Sequence, residues 1–337
     1  MKRYFWLVIF LFVYSCADNP QDRLVSFQGN TMGTTYSMKI IKDAGSQIAY
    51  EELKTKVDSV LREVNRQMST YIPDSEISLF NKARAGEWFP ISKDLEKVLL
   101  TAINVSELSG GAFDITVGPL VNLWGFGPEK KNHELPSSEE IADRKKFVGF
   151  HYLHVDSVKS AVMKDVDSLY CDLSAIAKGF GVDKVGKYFE SLGVQNYMVE
   201  IGGEVRARGN NHKNEPWKIG ISTPDSPSGI QEVISLSNYS MATSGDYRNY
   251  FEKDGVRFSH TIDPRTGKPI THNLASVSIM AENCMTADAV ATAIDVLGPD
   301  EGMKLGNKMG LSVYMILRTD EGFDEKMNND FSKLLVR

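Results

Sequence analysis

Apolar residues recur along the chain with two different periods, and the switch between them outlines the fold. From Glu51 to Met68, the residues Leu53, Val57, Val60, Leu61, Val64 and Met68 fall three or four apart, the spacing of one helical face. Ser92 stands where it can cap a second helix, which the Gly110-Gly111 pair ends. Ser137 and Glu140 have capping-box spacing ahead of a short third helix. Phe27 to Ile41 alternates instead and predicts strand, with breaks at Gly29 and Gly33.

Beyond residue 150 the pattern turns to strand. Alternation or short apolar runs predict strands over Tyr152–Asp156, Leu169–Asp172, Tyr197–Ile201 and Val205–Arg208. More follow over Lys218–Ser222, Val233–Leu236, Ser276–Met280 and Ser312–Leu317. Two helices interrupt them, one from Ser174 to near Gly193 and one from about Met285 to Leu297. Strands in hairpin-like order with interspersed helices predict an α+β fold, not a doubly wound α/β sheet. No internal repeat or low-complexity linker divides the chain.

The N-terminus stands apart. Lys2 and Arg3 precede an apolar run from Tyr4 to Val13, closed by Val13-Tyr14-Ser15-Cys16. A basic start, a short apolar core and a small residue before cysteine read as a secretory leader of the lipoprotein kind. The expected organisation is a signal peptide over 1–15, a tether over 16–26 and one domain over 27–337. Diacylation of Cys16 would hold the protein on the outer side of a bacterial membrane, since two chains anchor far better than one. The alternative is a plain signal peptide with an incidental cysteine.

Composition narrows the partners. The chain carries a net charge of −6 and has no block of basic residues, which argues against nucleic acid. At 42% hydrophobic and 24% charged it reads as globular. Apart from Cys16, only Cys171 and Cys284 remain, each in an apolar stretch, which favours buried thiols over a disulfide. No Cys/His spacing suggests zinc.

Four segments rich in glycine and small polar residues are candidates for chemistry. In the helix predicted near residue 290, Asp288 and Thr292 are four apart and share a face. A carboxylate and a hydroxyl make an incomplete hard-oxygen site of the kind Mg²⁺ completes with water and phosphate oxygens. The competing reading is an acidic residue attracted to a helix N-terminus. Asp172 and Ser174 stand at a predicted strand-to-helix turn, which suits a phosphate but equally makes Ser174 a simple cap. His260 precedes the turn Asp263-Pro264-Arg265-Thr266-Gly267 and is either a base or a structural histidine. Phe113 can stack on an aromatic ligand and Asp114 can accept a hydrogen bond, although Gly110-Gly111 needs only a helix end to explain it.

In this order the segments resemble the ApbE family of FAD:protein FMN transferases. Further blocks carry the resemblance: Gly29-Asn30-Thr31-Met32-Gly33-Thr34, Met68-Ser69-Thr70-Tyr71, Pro73-Asp74-Ser75-Glu76, Glu200-Ile201-Gly202-Gly203-Glu204 and Ala242-Thr243-Ser244-Gly245-Asp246-Tyr247. The resemblance implies mainly antiparallel sheets with packed helices, and FAD in a cleft between subdomains. It implies that Met32, Tyr71, Ala112, Phe113, Asp114, Asp172, Lys178 and Ile262 contact FAD. It further implies that the Ala175 carbonyl, Asp288 and Thr292 hold Mg²⁺. Lys178 departs from members with an acidic residue there. The implied reaction transfers FMN from FAD to a threonine or serine of an exported acceptor flavoprotein and expels AMP, with His260 as candidate base. A metal-dependent FAD pyrophosphatase and a flavin-storing lipoprotein are the alternatives.

Overall fold

The computed structural model describes residues 24–42, 49–127, 135–224, 226–245, 250–253 and 255–336. The leader with Cys16, most of the tether, and Asp246 and Tyr247 lie outside the described residues.

The first half holds strands β1 (Leu24–Thr31), β2 (Thr34–Ile41), β3 (Phe89–Pro90), β4 (Leu153–Asp156) and β5 (Ala161–Lys164). Its helices are α1 (Tyr50–Met68), α2 (Glu76–Lys82), α3 (Lys93–Leu108), α4 (Gly118–Leu123) and α5 (Ser138–Lys145). The second half opens with α6 (Ala177–Ser191), β6 (Tyr197–Ile201), β7 (Glu204–Arg208), β8 (Trp217–Thr223) and β9 (Ser226–Leu236). Then come β10 (Tyr239–Gly245) and the short strands β11 (Tyr250–Lys253), β12 (Val256–Ser259), β13 (Ile262–Asp263) and β14 (Lys268–Pro269). The chain closes with β15 (Leu274–Ala281), α7 (Cys284–Leu297), α8 (Pro299–Lys308), β16 (Ser312–Thr319), β17 (Gly322–Met327) and α9 (Asn329–Ser332).

Among the described residues the largest sheet has eight strands in the order β1-β2-β6-β7-β10-β15-β16-β17. Every neighbouring pair in it is antiparallel. The α+β expectation therefore holds. Helices α1, α6 and α7 cover one face, and the β8–β9 hairpin with α9 covers much of the other. This two-sided cover explains why β15 is buried along its whole length and reads as a nearly continuous apolar run. A bulge between Leu274 and Ser276 reverses its alternation. Leu274 faces the helices and Ala275 the other layer before it; Val277 and Ile279 face the helices after it.

Sequence spacing is satisfied where burial is one-sided. Leu53, Val57, Leu61, Val64 and Met68 of α1 are all buried, and Tyr36, Met38 and Ile40 of β2 pack with Leu53, Val57 and Leu61 and with α6. Each such side chain contributes about 1.5–3 kcal/mol over leaving it in water. The Ser92 cap and the Ser137–Glu140 capping box both form.

Three expectations are corrected. Among the described residues β1 already includes Leu24, ahead of Phe27, and Gly29 lies within β1 opposite Tyr36, so only Gly33 breaks the hairpin. Leu169–Asp172 is not a strand, since only Tyr170 makes a bridge, parallel to Val117. Helix α6 starts at Ala177, later than Ser174. In each case a tertiary neighbour supplies the backbone partners that local pattern alone assigned elsewhere.

Candidate active site

The C-terminus of α3 delivers the first wall of a cleft. Gly110 and Gly111 have φ of 61° and 78°, a left-handed turn that glycine adopts without a Cβ penalty. The Gly111 N–H returns to the Ser106 carbonyl at 2.8 Å, closing the helix end. The chain then reverses, and Ala112, Phe113 and Asp114 enter a cavity of about 380 Å³.

Asp114 braces this wall. Its Oδ1 accepts from the Thr116 N–H at 2.8 Å and the Thr116 hydroxyl at 2.7 Å, and its Oδ2 accepts from the Phe150 N–H at 2.8 Å. Burial lifts its carboxyl above the usual aspartate range, against the pull of these donors. Asp114 thus holds the loop that presents Phe113.

The second wall is the segment before α6. The Asp172 N–H donates to the Ile115 carbonyl at 2.7 Å, tying the two walls together. Asp172 Oδ1 accepts from the Ser174 N–H at 2.8 Å, a turn that carries Ala175 into the cavity lining. Ser174 caps nothing. The first residues of α6 have no local side-chain cap, and Asp288 supplies one from α7. Its Oδ2 accepts from the Gly179 N–H at 2.9 Å.

Helix α7 starts on Asn283, whose side chain accepts from the Thr286 N–H at 2.9 Å. Asp288, 3% exposed, lies beyond that first turn, so attraction to the N-terminus of its own helix does not explain it. Thr292, on the same face, approaches the Ser244 hydroxyl at 3.1 Å. The ammonium of Lys178 is 2.7 Å from Glu204 Oε1 and 3.6 Å from Asp288 Oδ1. Burial opposes its charge, but Asp288 and Glu204 outweigh that and lift it above the ordinary lysine value. Burial drives the Glu204 carboxyl up, against the pull of the Lys178 ammonium that favours its charged form.

His260 opens onto the same cleft from between β12 and β13, its ring edge-on to Phe126 at 6.3 Å. The neighbouring Thr261 hydroxyl donates to Asp295 Oδ2 at 3.0 Å, fastening this segment to α7. Ile262 lines the cleft, and Asp263 binds its own turn through the Arg265 side chain at 2.9 Å. Behind it, Trp124, Phe258, Phe251 and Phe126 form a run of ring contacts at 5.1–5.8 Å.

Among the residues singled out from sequence, Ala112, Phe113, Asp114, Asp172, Ala175, Lys178, His260, Ile262, Asp288 and Thr292 share this cleft. Tyr71 joins them at the rim, 70% exposed. Met32 does not line it. It sits in the β1–β2 turn at φ 49°, with its methyl 3.0 Å from where a Cβ on Gly181 of α6 would lie. Phe126 and Asp295 were missed. Asp295 follows Asp288 and Thr292 at the next helical step, so the same periodicity would have found it. Cys171 and Cys284 are buried free thiols, as expected.

Residues 32–315 match the ApbE family. Similar curated proteins are the FAD:protein FMN transferases of Haemophilus influenzae and Vibrio cholerae. The first is 46% identical over 94% of this chain and 93% of its own; the second is 45% identical over 98% and 99%. Among solved structures, the flavin transferase ApbE from Vibrio cholerae is 45% identical, with a TM-score of 0.86 over 93% of this chain and 99% of its own. The apo flavinyl transferase ApbE of Pseudomonas stutzeri is 38% identical, with a TM-score of 0.85 over 92% and 96%.

Proposed function

This chain belongs to the ApbE family, and from that premise we propose that it moves the FMN half of FAD onto a threonine or serine hydroxyl of another protein, using Mg²⁺ and releasing AMP. The observation that carries the reading is that Asp288, Thr292, Ala175, Lys178 and His260 open into one cleft beside Phe113.

The donors fit a small hard cation. Asp288 offers a carboxylate, Thr292 a hydroxyl and Ala175 a peptide carbonyl, all oxygen. Three protein oxygens leave the coordination shell incomplete. That suits Mg²⁺, which keeps places for water and phosphate. Bound there, it would neutralise phosphate charge and stabilise the departing AMP.

The chain's own groups do the rest. Phe113 and Ile262 offer apolar surface to the flavin, with Tyr71 at the mouth. His260 takes the proton of the acceptor hydroxyl, whose oxygen attacks the FMN phosphorus. The bond from that phosphorus to the bridging oxygen breaks, and AMP leaves with the bridging oxygen and its electron pair. Water in place of the hydroxyl would give FMN and AMP; the names of the relatives favour protein as acceptor. Acylation of Cys16 would hold the site outside the cytoplasm, where exported acceptors fold, and Cys16→Ala should then move the protein from the membrane to the soluble fraction.

The test mixes a form lacking residues 1–16 with FAD, Mg²⁺ and an exported flavoprotein domain bearing the acceptor threonine. Intact-mass spectrometry reads the FMN adduct and chromatography reads AMP. An adduct that disappears in Asp288→Ala supports the proposal. AMP and free FMN without adduct, for two different acceptors, would overturn it in favour of hydrolysis.

A further inference from the structure

The Glu200-Ile201-Gly202-Gly203-Glu204 turn takes no part in the reaction as described, yet it puts a carboxylate beside the metal donors. Glu204 opens β7, is 3% exposed, and accepts the Lys178 ammonium at 2.7 Å. Its other oxygen, Oε2, has no hydrogen-bond partner among the described residues, so Lys178 is the side chain that balances its charge.

Asp288 divides its oxygens differently. Oδ2 is committed to the Gly179 N–H, which leaves Oδ1 to face a cation. Oδ1 is also the oxygen that Lys178 approaches, at 3.6 Å. An ammonium and a divalent cation compete for it, since each satisfies the same negative charge and they repel one another. Lys178 pairs with both carboxylates, and its shorter contact is with Glu204.

We propose that Glu204 is a positioning residue that holds the Lys178 ammonium off Asp288 Oδ1, leaving that oxygen for the divalent cation. This rests on the metal reading above. Without the Glu204 charge, Lys178 closes on Asp288 and competes with the metal for its ligand. Lys178 then acts as an internal cation whose place is set by the balance between two carboxylates on different elements, β7 and α7.

The experiment titrates Mg²⁺ into the FAD-loaded protein by calorimetry and compares wild type, Glu204→Gln, Lys178→Met, the double variant and Asp288→Ala. Glu204→Gln keeps the shape and an acceptor oxygen but removes the charge. It should bind Mg²⁺ roughly 10- to 100-fold more weakly, the range typical when a partner of a metal ligand is lost. Adding Lys178→Met to it should restore affinity toward wild type, which a merely structural role for Glu204 would not produce. Equal affinity for wild type and Glu204→Gln would overturn the inference. So would a double variant as weak as the single one, or a Lys178→Met protein as weak as Glu204→Gln. If Asp288→Ala binds Mg²⁺ like wild type, the metal reading itself falls and the inference with it.

Discussion

Asp183 on α6 and Asp288 on α7 cap each other's helices. Asp183 accepts the N–H groups of Cys284 and Met285, at 3.1 and 3.0 Å, at the start of α7. Asp288 accepts the N–H of Gly179 at 2.9 Å in the first turn of α6. Each carboxylate meets unsatisfied donors at the positive end of the other helix, where both the hydrogen bonds and the dipole favour it. The relation fixes α7 against the segment that carries Ala175 and Lys178, so the metal donors come from two elements locked in register.

The lock is testable at Asp183, which lies outside the reaction. Its Oδ1 also takes the Arg206 guanidinium at 2.8 Å. Asp183→Ala strands two backbone donors and leaves Arg206 with Glu190 as its remaining carboxylate, and should lower stability by about 2–3 kcal/mol. Asp183→Asn, which keeps an acceptor, should cost distinctly less. Urea midpoints at constant slope would measure both, and equal losses would show that the charge and the acceptor are not separable as argued.

Gly179 is where the two helices touch. A Cβ there would lie 2.4 Å from the Cys284 carbonyl oxygen and 2.8 Å from the Asp288 Cβ, which no rotamer relieves. Gly179→Ala should lower stability by about 1–3 kcal/mol, as overpacking does. It should reduce FMN transfer by more than the unfolded fraction explains, because Asp288 must move. Melting temperature and turnover on the same preparation decide this, and a variant with wild-type values for both would refute the close approach.

His260 is assigned the acceptor proton. His260→Gln should slow transfer by roughly 10²–10⁴-fold while leaving FAD affinity, read by quenching of flavin fluorescence, near wild type. Loss of affinity and rate in equal proportion would instead make His260 a binding group.

Glu190 should contribute to the acid sensitivity of the fold. Burial alone would raise its carboxyl, but the Tyr197 hydroxyl at 2.6 Å and Arg206 at 3.0 Å prevail and hold it below the ordinary glutamate value of 4.5. A folded-state pKa below the unfolded one means that the unfolded chain takes up the proton first. The pair therefore stabilises the fold fully above the ordinary value, and that stabilisation is lost as pH falls from there through the lower folded value. Glu190→Gln should be less stable at neutral pH and show a flatter acid limb in denaturation midpoints taken downward from neutrality. A limb as steep as wild type would move the sensitivity elsewhere.

Much of this was legible in the chain. Helix α1 and the caps at Ser92 and Ser137 follow from spacing within a few residues, and so does the shared face of Asp288 and Thr292. Each is a local relation, because helix geometry and capping hydrogen bonds join residues three or four apart. The ordered blocks were enough to identify the family without any knowledge of how they pack.

What tertiary structure alone decided are relations between distant residues. The Asp288–Gly179 bond joins positions 109 apart and the Asp183–Cys284 bond joins positions 101 apart. Because α6 takes its cap from α7, Ser174 is left out of the helix although it looks like a cap. Because Asp172 bonds across to Ile115, a stretch that reads as strand becomes a loop between two walls. Met32 belongs to a matching block, yet its side chain packs on α6 outside the cleft lining. A sequence specifies which groups need partners. Which distant group meets that need depends on how the sheet and helices close around a shared core, since a buried donor takes whatever acceptor the packing brings to it.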